Sequence, residues 1–136
     1  MKKRLISSYD EVNDTFVGKI DGKNGYCADF GISNGIYLGI DIFNFPTFVL
    51  VSRASEVLNI PKQCLESDDV KIDIDCDENC LLFNMFVENS KICSVKCPNS
   101  FGIPNLKCLM DSSLWVASIF LFFFGIYKLT FKYEFV

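Results

Sequence analysis

Four of the seven cysteines in this 136-residue sequence fall into two equally spaced pairs, Cys76 with Cys80 and Cys93 with Cys97. Four thiolates suffice to close a tetrahedral zinc site, and a three-residue gap is a permitted ligand spacing. These four are therefore the candidate metal ligands, and zinc is the candidate cofactor. The competing reading makes each a small core hydrophobe. Strand alternation bears on the choice, because it puts Cys76 on an apolar face and Cys80 on the opposite one. Their sulfurs then converge only across a strongly twisted turn.

Other groups carry weaker chemistry. Asp73, Asp75 and Asp77 alternate along one strand. Alternate strand residues lie about 7 Å apart, a spacing that suits either a cation or an acid–base pair, and equally a solvated strand face. Asp10, Asn13 and Asp14 are acidic enough for calcium, but the glycine and the distal glutamate of a calcium loop are missing, so they read as a turn. Cys27, Cys64 and Cys108 are the remaining candidate nucleophiles. Lys62 and Lys107 are close in sequence to two of them, and Cys64 follows Pro61 in a short helical turn.

The sequence has no histidine, which removes Ser–His and Cys–His pairs, imidazole metal ligands and the usual neutral-pH base. The formal net charge is −4, and the one basic cluster, Lys2-Lys3-Arg4, reads as a solvated end. No nucleic-acid partner is expected from that balance. No apolar signal-peptide core follows Arg4, so the expectation is a cytoplasmic domain in a reducing compartment. An odd cysteine count agrees with free thiols.

The elements that position these residues are mainly strands. Tyr26, Ala28, Phe30 and Ile32 alternate with Cys27, Asp29, Gly31 and Ser33, and then Ile36, Leu38, Ile40 and Ile42 alternate with Tyr37, Gly39 and Asp41. A three-residue loop, Ser33-Asn34-Gly35, sets Ile32 against Ile36, Phe30 against Leu38 and Ala28 against Ile40, with Gly35 left-handed. A simple two-residue loop would put the two apolar sets on opposite faces. A second hairpin sets Cys76 against Leu81, Ile74 against Phe83, Ile72 against Met85 and Val70 against Val87, around a Glu78-Asn79 turn. Phe48 to Val51 and Lys91 to Val95 read as further strands. Ser52 to Leu58 reads as a helix capped by Ser52, with a second helical turn opened by Pro61 and a third short helix over residues 104–110.

The predicted fold class is α+β, a mostly antiparallel β-sheet of hairpins with one or two short helices and an apolar C-terminal helix. The division is a β-rich domain over residues 1–111 and an apolar tail over 112–136. Ser112 to Tyr127 carries no charge. Sixteen helical residues span about 24 Å, against about 30 Å of hydrocarbon, and extension to Phe131 with Lys128 snorkelling closes the gap. Trp115 and Tyr127 suit the two interfaces. Residues 112–131 are therefore a candidate membrane anchor, and a buried C-terminal strand is the alternative.

Tyr9-Asp10-Glu11-Val12-Asn13-Asp14-Thr15-Phe16-Val17, Ile32-Ser33-Asn34-Gly35, Gly39-Ile40-Asp41-Ile42 and Ala54-Ser55 together resemble the domain of unknown function 2283 family over residues 4–60. The chain departs from that pattern by inserting Phe43 to Arg53 before the Ala-Ser step. The resemblance implies a β-rich fold and carries no activity, cofactor or site residue. The expected role is a non-catalytic structural or interaction module with an unidentified protein partner, membrane-anchored where the tail inserts. A small cysteine-based zinc module is the alternative, and no catalytic residue is assigned.

Overall fold

Period-two alternation builds nearly every element of this chain. The computed structural model describes residues 1–22 and 28–113. It contains β1 (Lys2–Asp10), β2 (Thr15–Ile20), β3 (Ala28–Ser33), β4 (Ile36–Ile40), β5 (Pro46–Val51), α1 (Ala54–Val57), a 3-10 turn (Lys62–Glu66), β6 (Val70–Cys76), β7 (Cys80–Val87), β8 (Ser90–Pro98) and β9 (Leu106–Asp111). The strand order is β3-β4-β5-β2-β1-β9-β6-β7-β8. Every neighbouring pair is antiparallel except β1 with β9, which is parallel.

The outer strands of this mixed sheet come back toward each other. The Phe30 ring of β3 stacks on Phe101, just past β8, with centroids 4.2 Å apart. Asn44 Nδ2 donates to the Gly102 carbonyl at 3.2 Å. The nine strands thus form a nearly closed, barrel-like sheet. Its interior is filled by the inward rows of both halves, among them Leu5, Phe16, Leu38, Ile72, Phe83 and Met110, all at most 2% exposed.

Both hairpin registers follow the apolar pattern. Phe30 pairs with Leu38 and Ala28 with Ile40, and Gly35 has φ +84°. The turn itself is tighter than the sequence implies, since Ser33 pairs with Ile36 and Ile32 is the extra residue at a register shift. The second hairpin pairs Cys76 with Leu81, Ile74 with Phe83, Ile72 with Met85 and Val70 with Val87. Asp77 N donates to the Cys80 carbonyl across the Glu78-Asn79 turn.

Several expectations need correction. The described helix content is one α-turn and one 3-10 turn, so the chain is mostly β. The helix expected over residues 104–110 is not there: Leu106–Asp111 form β9, because Cys108 and Met110 alternate inward between β1 and β6. Lys2 to Arg4 is no free end: these residues pair with Leu109 to Asp111 in the middle of the sheet. Ser52 does not cap α1; Arg53 occupies the cap position in a left-handed conformation and its side chain makes no capping bond, reaching Glu56 and Asn34 instead. Among the described residues no helix is long and apolar enough to cross a membrane. The expected apolar C-terminal helix and anchor lie outside the described residues beyond Ser113.

Candidate functional site

The four paired-spacing cysteines are dispersed by the register. Cys76 lies inside the barrel, 3% exposed, in a row with Leu81 and Cys97. Two strand spacings, about 10 Å, separate β6 from β8 in that row. Cys93 sits four residues from Cys97, about 13 Å along the strand. Cys80 falls on the face opposite Leu81, beside Pro98. Among the described residues no three histidine, cysteine, aspartate or glutamate side chains gather closely enough to hold a metal ion. Burial pushes the Cys76 thiol up to about 11, with smaller contributions from Asp75, Cys97 and Asp77. Burial likewise raises Cys93, Cys97 and Cys108. Protonated thiols packed against apolar neighbours behave as small core hydrophobes. Cys64 is exposed on the 3-10 turn, and Cys27 lies outside the described residues.

The aspartates also separate. Asp73 and Asp75 stand on the outward face of β6, and Asp75 Oδ2 meets Lys107 Nζ at 3.4 Å. Asp77 lies past the strand end, where its carboxylate accepts the backbone N–H groups of Asn79 at 2.8 Å and Cys80 at 2.7 Å. Those bonds hold its carboxyl below the usual range. Asp10 closes a turn by accepting from Val12 N, Asn13 N and Asn13 Nδ2.

Asp14 does something the sequence did not announce. Its carboxylate accepts from Tyr9 Oη at 2.6 Å, from Ser55 Oγ at 2.7 Å and from Ser55 N at 3.0 Å, and its carbonyl accepts from Ala54 N at 2.8 Å. A carboxylate from the β1–β2 turn thus caps α1 in place of a local residue. Tyr9 and Ala54-Ser55, two pieces of the motif set behind the family resemblance, meet at this group. Its bonds are all internal, and its role is to fasten α1 to the sheet.

Two shallow hollows flank this region. The larger, about 570 Å³, lies between Arg4–Ser7 and the segments Asp68–Asp69 and Ser112–Ser113. Two of its three charged residues are engaged elsewhere: Arg4 pairs with Asp21 at 2.9 Å and Asp69 with Lys71 at 3.3 Å. No nucleophile–base pair converges there among the described residues.

The feature with the least structural explanation is the β4–β5 loop. Ile42 is 75% exposed, Phe43 70% and Phe45 39%. The sequence pattern counts Ile42 as the last inward residue of a strand, yet β4 ends at Ile40. Asp41 is the reason. Its Oδ1 accepts from Phe43 N at 2.8 Å and Phe45 N at 3.0 Å, its N–H donates to the Phe45 carbonyl, and its carbonyl accepts from Asn44 N. Asn44 takes φ +65°, which asparagine tolerates. The base is also fixed. A Cβ on Gly39 would stand 2.0 Å from Phe48 Cδ1, so the Phe48 ring covers that glycine closely. The loop is therefore a pinned projection carrying adjacent apolar side chains outward. The sequence held one signal here, the adjacent apolar pair Ile42-Phe43 followed by Phe45, but an alternation that reads through Ile42 hid it. No family model, curated protein or solved structure matches the chain.

Proposed function

We propose that the protein is a non-catalytic binding module whose contact surface is the β4–β5 tip. The observation that carries this reading is the pairing of Ile42 and Phe43, 75% and 70% exposed, on a loop whose conformation Asp41 fixes. Exposed apolar side chains on a floppy loop collapse or scatter. Here their ordering entropy is spent in folding, which is the condition for a strong anchor in a complex. Fully burying one such side chain against a partner is worth about 1.5–3 kcal/mol. Val12, at the other end of the barrel, is 92% exposed but stands alone between Glu11 and Asn13, and single exposed apolar residues are ordinary.

Fractionation of a cell extract tests the reading. The full chain is expected to sediment or elute with a larger particle, and an Ile42→Ser/Phe43→Ser variant to move to the free pool. An unchanged distribution of the double variant contradicts it. Anchoring by residues 112–131 is an independent proposal resting on composition; there the full chain resists carbonate extraction whatever stands at positions 42 and 43.

A further inference from the structure

We infer that the uncovered edge of β1 is a second docking site, which takes an extended, basic segment of a partner protein. This contact is independent of the tip. β1 is nine residues long, yet β9 pairs only with Lys2, Lys3 and Arg4. The ladder stops there because the chain after Asp111 is held by other groups. Asp111 Oδ1 accepts from Ser113 N at 2.9 Å and from Ser113 Oγ at 2.7 Å. Ser112 turns to β6, donating from N to the Val70 carbonyl and from Oγ to the Asp68 carbonyl, and its Oγ accepts from Val70 N. On the other side β2 follows β1 to its end, from Leu5 with Ile20 to Asp10 with Thr15. The bond from Asp21 N to the Arg4 carbonyl sets the phase: even-numbered residues of β1 bond to β2, and odd-numbered ones face away. The Leu5 carbonyl, the Ser7 N–H and carbonyl and the Tyr9 N–H therefore line an edge with no hydrogen-bond partner among the described residues.

A groove follows this edge. The hollow of about 570 Å³ beside Arg4–Ser7 meets a second of about 180 Å³, lined by Ser7–Tyr9 and Leu65–Asp68, and the two share Ser7 and Asp68. From Arg4 to Tyr9 the edge measures about 17 Å, the span of about five residues of extended chain. Unpaired strand edges take an added strand, with main-chain hydrogen bonds supplying the affinity. The far wall selects what is added, because it carries Glu66, Asp68 and Asp69. Asp69 is paired with Lys71, while Glu66 and Asp68 are exposed and make no ion pair among the described residues. Arg4, the cation of the lining, is bound to Asp21. Lysine or arginine side chains on the added segment meet these carboxylates, and acidic ones are repelled.

The probes are two dye-labelled hexapeptides, one alternating valine with lysine and one alternating valine with glutamate, each mixed with the full chain and followed by fluorescence anisotropy. The lysine peptide is expected to bind and the glutamate peptide to stay free. Glu66→Lys/Asp68→Lys, a change at two exposed positions that the fold tolerates, should weaken the lysine peptide about 10-fold. Residue-resolved hydrogen exchange reads the backbone contact directly. The amides of Ser7 and Tyr9 should exchange fast in the chain alone and slowly once the lysine peptide is added, while those of Ile6 and Ser8, bonded to β2, are slow throughout. Slow exchange at Ser7 and Tyr9 before any peptide is added shows that another segment already fills the edge, and overturns the inference. Absence of binding, binding of both peptides alike, or binding of the lysine peptide that survives the charge reversal overturns it too.

Discussion

Asp14 sits in the β1–β2 turn at φ +51° and gathers bonds from nearby Tyr9 and from Ala54 and Ser55, about forty residues along the chain. Replacing it with alanine leaves the first turn of α1 uncapped and is expected to cost about 1–2 kcal/mol in urea unfolding. Burial pushes the Asp14 carboxyl up, but bonds from Tyr9 and Ser55 and the Lys62 charge outweigh it, and the net shift is downward. A lowered carboxyl contributes stability above its unfolded value of about 3.9 and loses it as pH falls through the folded value. Asp14→Asn should therefore flatten the acid limb of the stability curve below about pH 4. The Tyr9 phenol is moved the other way, up to about 12, by burial first and then by its bond to Asp14. Its contribution is present below about pH 10 and is lost as pH rises through the folded value. In an alkaline absorbance titration one step should come near pH 12, and Tyr9→Phe should remove it. Simultaneous ionisation of all the tyrosines near pH 10 contradicts the geometry. None of this was legible in the sequence, since the acidic turn was visible but its distant partners were not.

At the level of elements, the sequence carries local register and loses long-range order. The second hairpin could be read pair by pair, because a one-residue slip moves every apolar side chain to the wrong face. The left-handed Gly35 was legible for the same reason. Alanine there would take φ +84° with its Cβ 2.8 Å from Val57 Cγ2 and 3.1 Å from the Ser52 carbonyl oxygen. Gly35→Ala should lower unfolding free energy by about 1–3 kcal/mol, and a loss under about 0.5 kcal/mol would show that the turn relaxes freely. The central strand β9 was missed because Pro104 and Asn105 look like a helix start. Its strand state is decided by neighbours, with β1 on one side and β6 on the other. Ile42 was assigned inward because alternation continues through it; the Asp41 side chain ends the strand before it arrives.

For the whole molecule, near-closure depends on contacts between elements far apart in sequence. The Phe30–Phe101 stack joins the two edges of the sheet. Phe101→Ala should lower the thermal midpoint by several degrees, as the stack alone contributes about 0.5–1.5 kcal/mol beyond its buried area. Hydrogen exchange should then rise first along β3 and β8. By contrast, Ile42→Ser/Phe43→Ser removes side chains that touch little, and its stability should stay within about 0.5 kcal/mol of the native chain. That contrast would separate residues kept for folding from residues with no folding role, as the proposed contact surface requires. The four cysteines show the converse: their spacing suggested a site, and the barrel distributes them over two faces.

The most direct measurement is photo-crosslinking from a benzophenone side chain placed at position 43 of the full chain, in living cells, with position 12 as the control. Both positions are exposed, at 70% and 92%, and they lie at opposite ends of the barrel. A binding module that works through the β4–β5 tip gives adducts from position 43 and few from position 12. Equal yields from the two positions, or none from position 43, contradict it.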